Sequence, residues 1–359
     1  MPKIKVTDRQ EISALRSLLT LIMSIVAGLL IISVIFVISG ANPLYAFVKI
    51  FSGSFGSIYG LKETVTKAIP LILIGVGLTI AYRARFWNIG AEGQLLMGAV
   101  FGTWIGLNWG PHLPFYVIVP VMFLAGFIGG AIWGAIPAIL KIRFSVNEVI
   151  STLMLNYICS EIVMFLIVGP WKGKTKFGFP YTDDLSESAM LGVISGTRIH
   201  YATLILGIMA VVILGVIIYK TKFGYEVRVI GENPMAGKYA GINFFRTTLI
   251  IMIISGGVAG LAGVGEVAGI HHYLSYPASI SSGYGFTAII VAWLAKLNPF
   301  FVIFSGLFFA GIVVGGDAIQ ISLNLPAATV DVFNGTLLVF LIMGDYFLKH
   351  KVQLQWGKA

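Results

Sequence analysis

Long uninterrupted apolar runs are the feature that most constrains this chain. Residues 17–39 contain no charged side chain, and similar runs recur along the sequence. An α-helix needs about 20 apolar residues to cross the hydrocarbon core of a membrane. A membrane-spanning β-barrel would instead show segments of about ten residues with alternating polarity. The sequence therefore predicts an all-α, polytopic transmembrane bundle.

Composition supports the same interpretation. Of the 359 residues, 57% are hydrophobic and 11% are charged, whereas soluble domains carry about 25% charged residues. We expect one transmembrane domain over residues 1–359, with about ten helices, some broken or re-entrant. The predicted spans are 17–39, 63–82, 88–107, 115–140, 146–168, 200–219, 247–269, 284–297, 300–318 and 332–348.

The distribution of basic residues predicts the orientation. With the N-terminus inside, 17 of the 24 Lys and Arg residues, Arg9 and Lys358 among them, fall on the cytoplasmic side. Such a bias marks the cytoplasmic side of membrane proteins. We expect a multi-pass protein of the cell (inner) membrane with both termini in the cytoplasm. Residues 169–199 would then form an extracytoplasmic loop and residues 221–246 a cytoplasmic one.

Several kinds of ligand are disfavoured by the residues present. Cys159 is the one cysteine, and the adjacent His271 and His272 point apart in a helix or strand, so no metal site is predicted. The segment Gly169–Thr175 is one residue too short for a nucleotide-binding glycine-rich loop. We therefore expect no cofactor and no nucleic-acid partner, with ATP bound only by a separate subunit.

The third predicted span begins with polar residues beside lipid-compatible sequence: Asn88, Glu92 and Gln94. A carboxylate near the middle of a bilayer costs at least about 2.5–3.5 kcal/mol, so its presence needs a reason. We expect a helix interruption lining the substrate path, with hydrogen bonds offered to a polar solute or to freed backbone groups. Alternatively, Asn88 caps a helix and Glu92 pairs with Arg83 or Arg85 at the cytoplasmic boundary.

The fifth predicted span also begins with polar residues. Ser145 and Glu148 have the spacing of a capping box. The capping box does not explain a further set of polar residues that continues into the apolar helix: Asn147, Ser151, Thr152 and Asn156. We expect this set to face another helix or the path, and Asn147 to border the path.

The eighth predicted span is interrupted by Gly283 and Gly285. Lipid tolerates irregular backbone only where protein or a water-filled cavity surrounds it. Tyr284 and Phe286, with Trp293, would then line the path and stack on a planar solute. Alternatively, these aromatic side chains lie at the membrane interface.

The cytoplasmic loop predicts a short docking helix. Asn233 is a suitable N-cap, Pro234 suits the first helical position, and Gly241 ends the helix. Such a short helix is marginal in water, so we expect it to lie in a groove of an ATPase subunit; an ordinary loop is the alternative. The predicted coupling residues are Gly224, Arg228, Gly231, Asn233, Pro234, Met235 and Gly241.

Four segments carry a family resemblance: FWNIGAEGQ at 86–94, NEVISTLMLNY at 147–157, RVIGENPMA at 228–236 and GYGFTAIIVA at 283–292. They resemble permeases of the branched-chain amino acid, ribose and nucleoside class of ABC importers, and the nucleoside subgroup in particular. The resemblance implies import of a small polar solute, a nucleoside or a sugar. It also implies a second permease subunit, identical or paralogous, two cytoplasmic ATPases and an extracytoplasmic solute-binding lipoprotein.

Two other classes remain as alternatives. A secondary transporter could couple transport to ions or protons through acids in the spans, namely Glu92, Glu161, Glu266 or Asp317. An intramembrane enzyme would need a nucleophile with a base, or a metal cluster, inside the spans, and the sequence offers neither. We therefore predict a transporter subunit and not an enzyme.

Overall fold

The structure is a computed structural model that describes residues 3–8, 13–323, 325 and 327–355. Two of the residues assigned to the cytoplasmic side, Arg9 and Lys358, lie outside this range. The chain forms two compact units, which are described separately: Met1–Gly60 with Gly311–Ala359, and Leu61–Ala310.

Helices make up most of both units, which confirms the predicted all-α class. In chain order the elements are β1 (Lys3–Asp8), α1 (Ala14–Ile38), α2 (Pro43–Phe55), α3 (Ile58–Arg83), α4 (Ala91–Trp109), α5 (Phe115–Phe144), α6 (Glu148–Val168), α7 (Tyr201–Lys220), α8 (Lys222–Glu232), α9 (Pro234–Tyr239), α10 (Phe244–Glu266), α11 (Pro277–Ser281), α12 (Tyr284–Leu294), α13 (Val302–Leu323), α14 (Ala327–Lys349) and β2 (His350–Gln355).

Each of the ten predicted spans overlaps one of these helices. Within the part of the chain that the structure describes, seven helices are long and apolar enough to cross a membrane, or eight if the bent pair Ile22–Ile38 and Pro43–Phe55 forms one span. The third predicted span is corrected, because α4 begins at Ala91 after a non-helical segment. The eighth is also corrected, because its membrane-capable stretch begins earlier, at Pro277, and runs to Leu294 as α11 and α12 with a left-handed turn at Ser282 and Gly283 between them.

The unit that holds both chain ends contains elements that the apolar pattern does not predict. Helix α2 begins with the N-cap Asn42 and Pro43 at its first turn, but it is shorter than a span. Strands β1 and β2 pair antiparallel, with Lys3 opposite Gln355. In the same unit α1 packs against α14.

The second unit is built around close contact of α4, α5 and α10. Glycines allow that contact: a Cβ atom at Gly260 would overlap the carbonyl oxygen of Gly126, and one at Gly256 would overlap that of Gly130. Small residues of this kind let backbones approach closely in lipid, where dispersion contacts replace the hydrophobic effect as the force between helices. This core is the scaffold on which the interrupted segments rest.

The predicted capping box at the start of α6 is wrong. Asn147 is the N-cap, and its side chain accepts hydrogen bonds from the backbone N–H groups of Val149 and Ile150. Ser145 instead ends α5 in a left-handed conformation, with φ of +55°. Glu148 forms an ion pair with Lys141 at 2.5 Å. An asparagine two residues after a helix end serves the cap better because its side chain reaches the first free N–H groups.

Candidate functional site

The first interruption lies at residues 84–90, between α3 and α4. Asn88 is fully buried there. Its Nδ2 donates to Oε1 of Gln94 at 3.0 Å and to the hydroxyl of Ser255 at 3.1 Å. Gln94 Nε2 donates back to Asn88 Oδ1 at 3.0 Å. The two amides therefore satisfy each other and connect the interruption to α10.

The polar set on α6 serves the backbone of the same interruption. Asn156 Nδ2 donates to the carbonyl of Ile89 at 2.9 Å, and its Oδ1 accepts from the N–H of Gly93 at 2.9 Å. The hydroxyl of Thr152 accepts from the N–H of Ile89 at 3.3 Å. Each buried backbone group would otherwise lack a partner in a membrane interior. The side chains of α6 thus replace the helical hydrogen bonds that the break removes.

The second interruption lies between α11 and α12. Ser282 and Gly283 have φ values of +44° and +69°, and α12 starts directly afterwards without a side-chain cap of its own. The carboxylate of Glu92 caps α12 instead, because its Oε2 accepts a hydrogen bond from the N–H of Gly285 at 2.8 Å. Helix N-termini carry partial positive charge, so they favour an anion at this position.

The contact between the two interruptions requires a glycine. A Cβ atom at Gly285 would lie 2.5 Å from the Cα of Glu92 and 2.6 Å from its Oε2. Glu92 itself sits in the first turn of α4. The N-terminal ends of α4 and α12 therefore meet around one carboxylate, which is only 7% exposed.

The alternative prediction, an ion pair of Glu92 with Arg83 or Arg85, is not the arrangement found. Arg83 Nε donates to the carbonyl of Leu297 at 2.8 Å, and its NH2 group donates to the hydroxyl of Tyr219 at 2.7 Å. Asn88 does not act as the N-cap of α4 either, because Gly90 holds that position. Asn88 Oδ1 accepts from the N–H of Gly90 at 3.1 Å within the break.

The remaining predicted path residues lie in different environments. Asn147 caps α6 and is exposed. Tyr284 is buried at the start of α12, whereas Phe286 is 42% exposed. The structure therefore brings Asn88, Glu92 and Gln94 together with the start of α12, and it places Asn147 elsewhere.

Two participants are absent from the sequence prediction. Tyr82 donates its hydroxyl hydrogen to the carbonyl of Asn88 at 3.0 Å, and its ring stacks on that of Trp293. Ser255 is a single hydroxyl in the apolar run of α10. Neither position has a sequence signal, because a tyrosine at a helix end and a serine among glycines also suit ordinary packing.

The segment at 221–246, predicted to be cytoplasmic, consists of two short helices instead of one. Thr221 caps α8 and Asn233 caps α9, which confirms Asn233, followed by Pro234, as a helix start. Gly241 ends the segment with φ of +75°. Arg228 lies in α8, and its NH1 group donates to the carbonyl of Ile218 at the end of α7 at 2.8 Å.

Two glycines allow α8 to pack closely against α7 and the end of α3. A Cβ atom at Gly224 would overlap the carbonyls of Ile217 and Ile218, and one at Gly231 would overlap that of Arg83. Helix α9, by contrast, forms an exposed tip of the segment, in which Met235 is 62% exposed and Tyr239 is 89% exposed. The segment is therefore anchored through α8 and presents α9 outward.

The loop at residues 169–199 is hydrogen-bonded to the segment that follows α10. Thr182 exchanges hydrogen bonds with the backbone of Leu274, at 3.0 Å in each direction. The N–H of Leu185 donates to the carbonyl of His272 at 2.8 Å. Hydrogen bonds from the side chain and backbone N–H of Thr175 hold the pKa of Asp183 below its ordinary value. These hydrogen bonds hold the loop in a defined conformation.

A helical bundle with two interrupted spans, whose polar residues meet at the breaks, has the architecture of a membrane transporter. The comparisons identify the family. The chain belongs to the family described as the branched-chain amino acid transport system / permease component, which matches residues 60–342. It is therefore a membrane-spanning permease subunit of an ABC transporter and not itself an enzyme, as predicted.

Curated relatives match along most of the chain. A glucose ABC transporter permease protein of Haloferax volcanii is 33% identical over 99% of this chain and 95% of its own. A guanosine ABC transporter permease protein of Bacillus subtilis is 32% identical over 92% and 94%. A nucleoside ABC transporter permease protein of Lactococcus lactis is 29% identical over 91% of each chain.

The hydrogen bonds of Asn156 predict a large loss of stability on substitution. Asn156→Leu leaves the Gly93 N–H and the Ile89 carbonyl buried without partners, at about 1–3 kcal/mol each. We expect a lower thermal unfolding temperature in detergent, measured by near-ultraviolet circular dichroism. Ser160→Ala is the control, because that hydroxyl donates only to the carbonyl of Asn156 in its own helix. Equal unfolding temperatures for the two variants would contradict the assignment.

Proposed function

We propose that this permease imports a polyhydroxylated solute, a nucleoside or a sugar, driven by ATP hydrolysis in a separate subunit. The observation that carries the proposal is the match, over 91% or more of the chain, to permeases named for glucose, guanosine and nucleosides. These solutes share a ring with several hydroxyl groups. Hydroxyls both donate and accept hydrogen bonds, so carboxylates and amides along a path suit them.

The two interruptions are proposed to border the translocation path. Asn88, Glu92 and Gln94 hold the broken backbone in shape, and Tyr284 and Phe286 begin the helix that Glu92 caps. Phe286 is the exposed member of this group, so its ring is available to a solute. Asn147 is proposed to lie toward the cytoplasmic end of the path, beside the Lys141–Glu148 ion pair.

The proposed assembly contains this chain, a second permease subunit that is identical or paralogous, and cytoplasmic ABC ATPases. An extracytoplasmic solute-binding lipoprotein delivers the solute. No cofactor is proposed for this chain, and ATP is bound by the partner.

The segment at 221–246 is proposed as the ATPase-docking site. Gly224, Arg228 and Gly231 fix α8 to the rest of the unit, while Asn233, Pro234 and Gly241 define the ends of α9. Met235 and Tyr239 then form the exposed apolar tip. A short helix with an apolar tip suits a groove on a partner.

Both termini and residues 220–246 are proposed to be cytoplasmic, and residues 172–187 extracytoplasmic, from the charge bias. Cysteines at Lys174 and Lys238, both exposed, test this in a Cys159→Ser background. An impermeant thiol reagent added to intact cells should label position 174 only. Labelling of position 238 alone would invert the orientation.

Reconstitution tests the proposed function. The permease, its ATPases and the solute-binding lipoprotein are placed in proteoliposomes, and uptake of radiolabelled guanosine, other nucleosides and glucose is measured. We expect uptake of one of these classes that requires ATP, because the chain is a subunit of an ABC transporter. Omission of the lipoprotein is the control and should abolish uptake. ATP-independent uptake driven by a proton gradient would contradict the proposal.

The exposed tip of α9 predicts a coupling defect. Met235→Ser combined with Tyr239→Ser removes the apolar contact while leaving the caps and Arg228 in place. We expect the ATPase to hydrolyse ATP with uptake reduced about tenfold or more, since burying two such side chains is worth several kcal/mol. Tyr116→Ser, at a residue that is 77% exposed at the start of α5, is the matched control. Wild-type uptake by the double variant would overturn the docking assignment.

A further inference from the structure

Helix α6 has two faces with different roles. Its inner face carries Thr152, Asn156 and Cys159, which are buried and bond the first interruption. Its outer face is exposed over the whole length of the helix. The exposed residues of that face are Ile150, Met154, Tyr157, Ile158, Glu161, Phe165 and Val168.

Glu161 lies deep along this outer face. At a rise of 1.5 Å per residue it is about 20 Å from the start of α6 and about 10 Å from its end. Nearby, the thiol of Cys159 donates to the carbonyl of Gly93 at 3.2 Å, next to the first interruption. Glu161 is therefore near the depth of the interrupted segments, well inside a hydrocarbon core of about 30 Å.

Lipid is an unfavourable surrounding for this carboxylate. Helix α6 contains no Lys or Arg, and within the described ranges Glu161 makes no ion pair. A glutamate side chain is too short to reach a membrane surface about 10 Å away. Acids at such a depth face the bundle interior or a water-filled cavity. Since Glu161 is exposed in this chain, its face of α6 borders water or a polar partner.

The surroundings of Glu161 fit a path for a ringed solute. Tyr157 lies one turn before it and is 63% exposed. Helix α11 packs against α6, and the exposed residues Ser279, Ser282 and Phe286 follow along α11 and the start of α12. Hydroxyl, carboxylate and aromatic groups therefore lie on neighbouring elements, beside the second interruption.

We propose that the outer face of α6 lines the translocation path and that Glu161 accepts hydrogen bonds from the ring hydroxyls of the solute. The proposal rests on the function proposed above. Two adjacent hydroxyls can donate to the two oxygens of one carboxylate, and charge makes such hydrogen bonds strong. Tyr157 packs against the ring. Glu92 differs, because its carboxylate already caps α12, whereas the Glu161 carboxylate is exposed on the outer face of α6.

Uptake by Glu161→Gln tests the role of the carboxylate in the reconstituted complex. The amide keeps the shape but loses the charge, so we expect solute uptake to fall about tenfold. Co-purification of the ATPases and basal ATP hydrolysis should stay within about twofold of wild type, since charge loss at the path leaves the docking segment intact. The control is Glu187→Gln, at an exposed acid of the loop at 169–199. Unchanged uptake in Glu161→Gln would overturn the assignment of the carboxylate.

Cysteine accessibility tests the path itself without knowledge of the solute. Glu161→Cys and Tyr157→Cys are made separately in a Cys159→Ser background and treated with a charged, water-soluble thiol reagent after assembly is verified. Both should react, because the reagent enters water and not lipid. Met209→Cys on α7, at a residue that is 47% exposed, is the control and should not react.

The accessibility results separate this inference from the proposed function. Failure of the wild-type complex to import nucleosides and glucose would refute the solute class, and reaction at positions 157 and 161 would still establish a water-filled face. No reaction at either position, or reaction equal to that at position 209, would overturn the path assignment.

Discussion

The hydrogen bonds that complete the broken backbone at residues 84–93 are the interactions on which the site depends. A peptide group that leaves a helix inside a membrane has no water to bond, so the protein must supply a partner. Asn156 bonds both an N–H and a carbonyl of this segment. The buried side-chain amides of Asn88 and Gln94 form two hydrogen bonds with each other. Without the Asn156 amide, the buried N–H of Gly93 and the carbonyl of Ile89 would lose these partners.

One carboxylate then joins two helix ends. Each helix N-terminus carries roughly half a positive charge, and the first turns of α4 and α12 meet at Glu92. Together they offset about one negative charge, which explains how an acid is held in a buried position whose hydrogen-bond partner is a backbone N–H of α12. The glycine at 285 is required by the same geometry, because any side chain there would occupy the space of Glu92.

The sequence predicts the helical class and every major span, because lipid demands long apolar runs. It also predicts that Asn88, Glu92 and Gln94 belong with a helix interruption and that Asn156 faces another helix or the path. It does not predict their partners: Glu92 bonds the backbone of α12, Asn156 bonds the backbone of Ile89 and Gly93, and Gln94 bonds the side chain of Asn88. Pairings between residues distant in sequence depend on tertiary packing, which apolar periodicity does not encode. The short α2 and α8 were missed because a search for spans rejects helices of 13 and 11 residues.

The hydrogen bonds and close contacts between helices also limit how the permease can move. Helix α4 is bonded to α6 through Asn156 and to α12 through Glu92, and its glycines are in contact with α10. The break that precedes α4 is bonded to α10 through Ser255. Sliding one of these helices past another would break several buried hydrogen bonds at once, and tightly packed interfaces do not deform continuously. We infer that these four helices move as one block during transport.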